Sequence, residues 1–296
     1  MRWKKNFKLF HSREMWKRIS YLAKKEVMYN FRNRWIIFLS LLFLGLSVLV
    51  SFYGTSLEAH KDWLGLQTTI LYMTTYIEYM VPIIGVILGY STIVRERKEG
   101  SMELLLSYPV DRGEVLAGKF LGLWIVLSTA VIIGLGAGGV VISLMVEEVV
   151  FAEYYLFILS SVILGGVFIS ISMMFSVIFE EESSAMSASI FMLFLFTFIW
   201  LFSMYALAEL TFGWELLEIG QPPQWYFILQ LFNPVMLWYT LLALNIVPLR
   251  DWALEFGGKE PEIHPYDTWV MLVLLVIWIA VPLVISEIIF NKKDID

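Results

Sequence analysis

The sequence predicts an all-α, polytopic membrane protein with six transmembrane helices, and three observations carry that prediction. Of its 296 residues, 59% are hydrophobic and 16% charged, a balance outside the usual range for soluble domains. Six apolar runs approach or exceed the ~20 helical residues needed to cross about 30 Å of hydrocarbon. Finally, 18 of the 21 Lys and Arg residues fall in segments that an even number of crossings brings to one side. The runs lack the strict alternation of a barrel strand, and a lone strand cannot satisfy its backbone in lipid, so all six are read as helices.

The first 34 residues carry 11 basic residues against two Glu. Within them, "MWKRISYLAKKEVMYNF" sets Met15, Trp16, Ile19, Leu22, Ala23, Val27 and Phe31 on one helical stripe. That pattern predicts an amphipathic elbow helix at the membrane surface. A long basic segment is also unlike a cleavable signal peptide, so the first span is expected to stay as an anchor. The expected division is residues 1–34 as a cytoplasmic N-terminus and 35–296 as a six-helix transmembrane domain.

The spans are expected at Trp35–Tyr53, Thr69–Val94, Leu116–Met145, Tyr155–Phe179, Ala185–Leu207 and Thr268–Phe290. The positive-inside bias places both termini in the cytoplasm, together with Arg95, Arg97, Lys98, Arg112, Lys119, Lys292 and Lys293. The outward segments keep Lys61, Arg250 and Lys259 and have 13 acidic residues, a surplus suited to cations or a basic partner. "FEEESS", from Phe179 to Ser184, is acidic although parity puts it on the basic side; acidic residues bear weakly on orientation. Between spans five and six, Asn233 and Pro234 interrupt an apolar stretch. Two short outer interfacial or re-entrant helices are therefore expected there rather than a seventh crossing, with Trp225, Tyr226, Trp238 and Tyr239 as interfacial anchors.

Two stretches mimic nucleotide motifs. "GEVLAGKF" has Phe120 where a phosphate loop needs Ser or Thr, and no strand precedes it. "GLGAGG" lies mid-span, where it cannot follow a strand. The pairs Gly118 with Gly122 and Gly134 with Gly138 read instead as flat patches for close helix packing. No cysteine is present and the three histidines, His11, His60 and His264, are scattered, so no metal or catalytic site is predicted.

The most specific stretch is "VRERKEGSMELLLSYPVDRGEVLAGKFLG", Val94 to Gly122. Gly100 should stop the charged extension of span two. Ser101 to Ser107 then forms a two-turn helix with Met102, Leu105 and Leu106 as apolar knobs, and Pro109 ends it. Asp111 with Glu114 three residues later forms a capping box that starts span three. Such a short helix between two membrane helices is a lever able to pass force between a soluble partner and the bilayer.

This segment resembles the signature of type-2 ABC transporter permeases, most closely the NosY-type permeases associated with nitrous-oxide reductase maturation. Glu96, Arg97, Glu99, Gly100, Leu104 to Leu106, Ser107 to Val110 including Tyr108 and Pro109, Arg112 and Gly118 to Gly122 carry the likeness, with Lys98 interrupting the charged run. "KKEVMYNFRNRW", "NPVMLWYTL" and "FNKKDI" extend it less sharply across the chain. The resemblance implies a homodimer in the cytoplasmic membrane, each copy seating its coupling helix on a separate ATPase subunit that carries the ATP and magnesium. This chain would bind no cofactor or nucleic acid and would hydrolyse no ATP itself, and the transport it supports would be outward. Glu103 and Arg112 are expected as docking charges, and Met102 and Leu105 as groove-filling side chains.

Glu78 sits about 24 Å of helix above Val94, and an ionisable residue at that depth is a candidate for a pathway. A second reading has the helices relay motion to an extracytoplasmic accessory protein with little solute flux. A third, an intramembrane enzyme, lacks the paired catalytic groups it would need.

Overall fold

In a computed structural model, residues 2–57, 65–145, 151–212, 224–246 and 267–293 are described. Every regular element among them is helical. In chain order these are α1 (Arg2–Phe31), α2 (Arg34–Leu57), α3 (Gly65–Gly89), α4 (Val94–Lys98), α5 (Ser101–Leu106), α6 (Arg112–Met145) and α7 (Phe151–Ile178). Then follow α8 (Glu182–Phe194), a π-helical turn (Leu195–Ile199), α9 (Trp200–Phe212), α10 (Gln224–Gln230), α11 (Pro234–Asn245) and α12 (Thr268–Lys292). Six segments are long and apolar enough to cross a membrane: Ile36–Tyr53, Ile70–Lys98, Arg112–Leu144, Ala152–Ile178, Glu182–Thr211 and Thr268–Lys292. Lys61, Arg250, Lys259, His60, His264 and much of the long segment between spans five and six lie outside the described residues.

Helix α7 is the central post. It packs against α3, α6, α8, α11 and α12, and its Ser160, Ser161, Ser170, Ser172 and Ser176 are all buried. Small side chains let the neighbours approach closely. A Cβ added at Gly85 would stand 3.0 Å from Phe168 Cβ, and one at Gly89 would stand 2.8 Å from Ser172 Cβ. This Gly85–Gly89 pair is spaced by four like those singled out in the sequence, and it sets the contact of α3 with α7. Gly118 and Gly122 face Ile19, Leu22, Ala23 and Glu26 of α1, whereas Gly134 and Gly138 face Phe43, Ser47 and Ser51 of α2 and Met73 of α3.

Four local expectations are revised. Span two does not run unbroken into its charged end: α3 stops at Gly89, and α4 restarts at Val94. The break is capped from outside, because Ser176 Oγ accepts hydrogen bonds from the Ile93 and Val94 amides at 2.9 and 3.0 Å. The inner face of α1 is Ile19, Ala23, Glu26 and Asn30, all buried, while Trp16 and Phe31 of the expected stripe are exposed. That face turns towards α6, where Glu26 finds Lys119. Trp238 is fully buried and donates to Ser160 Oγ at 3.1 Å, so it is a core residue rather than an interfacial anchor. Met102, finally, is fully buried in the protein's own core and is unavailable to fill a groove elsewhere.

The Asn233–Pro234 break is a helix start. Asn233 Oδ1 accepts from the Val235 and Met236 amides at 2.8 and 3.3 Å, and Pro234 opens α11, where a missing N–H costs nothing. Its Nδ2 donates at 2.7 Å to Phe196 O in the π-helical turn, a place where the intrahelical pattern leaves a carbonyl in need of a donor.

Candidate functional site

The segment between α3 and α6 is held by charged side chains from every neighbouring element. Gly100 adopts φ +71°, a left-handed conformation that costs glycine least, and this turns the chain from α4 into α5. Ser101 Oγ ties the turn to Glu96 O at 3.1 Å. With Met102 anchoring α5 from beneath, its outer surface is left to Glu103, Leu104, Ser107, Tyr108 and Pro109, with Leu104 70% and Tyr108 66% exposed. Leu105 and Leu106 are half-buried against the core. The free apolar side chain of this helix is thus Leu104, one position from the residue expected.

The start of α6 is fixed twice. Glu114 accepts from the Asp111 amide at 3.2 Å, the reach-back half of a capping box. The same carboxylate receives the Arg18 guanidinium of α1 through two bonds, at 2.6 and 2.8 Å. One turn further on, Lys119 is almost fully buried and bridges Glu26 of α1 at 2.7 Å and Glu96 of α4 at 2.9 Å. Lys25 reaches Glu96 more loosely, at 3.5 Å. Helices α1, α4 and α6 are therefore tied through one buried ammonium.

The acidic turn after α7 has its counter-charges in the same segment. Arg95 pairs with Glu182, and Lys98 pairs with Glu181 at 2.9 Å. Arg97 donates to the Phe179 carbonyl and, at 3.4 Å, to that of Val177. From α12's end, Lys293 donates to Ile178 O at 2.9 Å, and cations at a helix C-terminus also meet its negative dipole end. Burial, with Arg97 nearby, holds the Lys293 ammonium below its ordinary pKa. Arg112 does not project outwards as expected: it donates to the Phe290 and Lys293 carbonyls, the latter at 2.8 Å, and lies over the Phe290 ring. It caps α12 because four carbonyls at that helix end lack partners.

Glu78 is half-buried in α3. Among the described residues, no three His, Asp or Glu side chains are grouped so as to hold a metal ion.

Residues 21–295 match the family model described as "ABC-2 family transporter protein". The chain belongs to the ABC-2 transporter family. Among curated relatives, a probable ABC transporter permease protein NosY of Stutzerimonas stutzeri is 32% identical over 279 residues, covering 92% of this chain and 97% of that protein. A probable ABC transporter permease protein NosY of Pseudomonas aeruginosa is 30% identical over 280 residues, covering 93% and 98%. The likeness thus runs through all six spans, and this ABC-2 protein is a NosY-like, membrane-spanning permease.

Sequence reasoning singles out the 94–122 segment but not the partners of its tethers. Glu26 and Lys119 carried a signal: ionisable residues in otherwise apolar helical faces require partners. Which partners they choose depends on helix packing, which no local pattern encodes.

Proposed function

We propose that this ABC-2 permease transmits ATP-driven motion from a separate ATPase subunit into the membrane, with α5 as the coupling helix and outward transport as the result. The observation that carries the reading is the lever itself. The α5 face bearing Glu103, Leu104 and Tyr108 is exposed, while its base is held by Met102 packing and by the turn from α4, which the Lys119 and Arg97 contacts join to α1, α6 and the α7–α8 turn. A push on that face would move α1, α4, α6 and the α7–α8 turn together.

In this reading residues 1–34 form a cytoplasmic elbow, residues 35–296 the permease domain, and both termini are cytoplasmic. Two copies form the unit on which two ATPase subunits act. The acidic α7–α8 turn fits that orientation, since Arg95, Arg97, Lys98 and Lys293 neutralise it and no longer leave it as an exception to the positive-inside bias. The chain alone should show no ATP hydrolysis above background. Adding the purified ATPase subunit should give turnover that depends on the permease; robust hydrolysis by the permease alone, or turnover indifferent to it, would reject the proposal.

A further inference from the structure

Between the second half of α1, the start of α2, the end of α3, α4 and the start of α6 lies a cavity of about 680 Å³, within the usual range for small-molecule sites, roughly 300–1,000 Å³. Its two ends differ. One is ionic, with the buried Glu26–Lys119 pair as its floor and Lys25, Arg95, Glu96 and Glu99 around it. The other is apolar, with Ile36 and Phe38 of α2, Ile87 of α3 and Met186 of α8. Phe38 is 56% exposed beside the equally outward Leu41, on a helix that the apolar span Ile36–Tyr53 assigns to the bilayer. The apolar end therefore meets lipid where span one begins.

Three basic and three acidic side chains line the cavity, so it holds no net charge. Lys119 is taken up by Glu26 and Glu96, and Arg95 by Glu182, so the charges left for a ligand are one of each sign, Lys25 and Glu99. A molecule carrying one charge of each sign fits both. Lys25 is available to a phosphate because its contact with Glu96 is long, and Glu99 is exposed at the rim as an acceptor for an ammonium.

We propose that this cleft binds the headgroup of a zwitterionic phospholipid with a primary ammonium, drawn from the leaflet on the basic side, with an acyl chain leaving along Ile36 and Phe38. Only the choice of leaflet depends on the orientation given above; the site does not depend on the ATPase. Lipid there would wedge between α1 and α4, the two helices that Lys119 joins.

The test is photolabelling of the full-length protein in nanodiscs with phosphatidylethanolamine carrying a diazirine on an acyl chain, compared with the same probe built on phosphatidylglycerol. The ethanolamine probe should label residues 36–39 and 86–92 about tenfold more than the glycerol probe, the scale of one charge-assisted hydrogen bond. Both Glu99→Gln and Lys25→Gln change exposed side chains and should leave the thermal midpoint in place; Glu99→Gln should reduce that preference several-fold, whereas Lys25→Gln, which removes the partner of a phosphate that both probes carry, should lower labelling by both. Equal or stronger labelling by the glycerol probe, labelling spread evenly around the six spans, a preference untouched by Glu99→Gln, or labelling by both probes untouched by Lys25→Gln would overturn the assignment.

Discussion

Replacing Lys119 with Met keeps the apolar stem and deletes the ammonium. The structure sets the scale of the loss. Glu26 and Glu96 each have a carboxylate oxygen within 3 Å of the same nitrogen, so once it is gone two carboxylates face each other at less than about 6 Å. At an effective dielectric constant of about 20 their repulsion is roughly 3 kcal/mol. Leaving a buried charge without its partner generally costs about 3–5 kcal/mol, and the two figures agree. In a denaturation series in mixed micelles, Lys119→Met should lose about that much stability, with a thermal midpoint lower by roughly 6 °C or more. A triple variant adding Glu26→Gln and Glu96→Gln should recover most of it, since whole buried ion clusters can be replaced at little cost. If Lys119→Met alone loses under about 1 kcal/mol, the value of a surface pair, then the ammonium does not hold α1, α4 and α6 together.

Other substitutions test separate joints. Arg97→Ala removes a donor from the Phe179 and Val177 carbonyls and should cost about 1–3 kcal/mol, seen as faster hydrogen exchange confined to the α7–α8 turn; unchanged exchange there would contradict the capping role. Asn233→Ala removes the α11 cap and the donor to the π-helical turn, so about 2 kcal/mol should be lost, and a silent substitution would mean that water serves both. Leu104→Asp changes an exposed side chain, so stability should move by no more than about 0.5 kcal/mol while permease-dependent ATP turnover falls; retained turnover would remove Leu104 from the contact.

Most of the architecture was legible because lipid imposes a simple rule. Every backbone group must be bonded within its own helix, so apolar length alone located six crossings to within a few residues. Gly100 and the Asp111–Glu114 spacing were equally legible, because turn and cap chemistry is local. What stayed hidden was which face each helix buries. Met102 and Arg112 sit in a charged, connecting stretch that reads as exposed, yet one plugs the core and the other caps α12, a helix more than 150 residues away in sequence. The acidic "FEEESS" looked anomalous for the same reason: its compensation comes from Arg95, Lys98 and Lys293, which only packing brings near. Trp238 was assigned by residue type to an interface, whereas Ser160 on α7 offers its indole a partner inside.

The most direct measurement is site-specific cross-linking in the purified complex with its ATPase subunit. A photoreactive amino acid placed at Leu104 should cross-link to that subunit, in an amount that changes on adding ATP, whereas one placed at Ile133 on the lipid-facing side of α6 should not. Cross-links from position 104 to lipid alone, or none to the ATPase subunit, would contradict the lever on which the account rests.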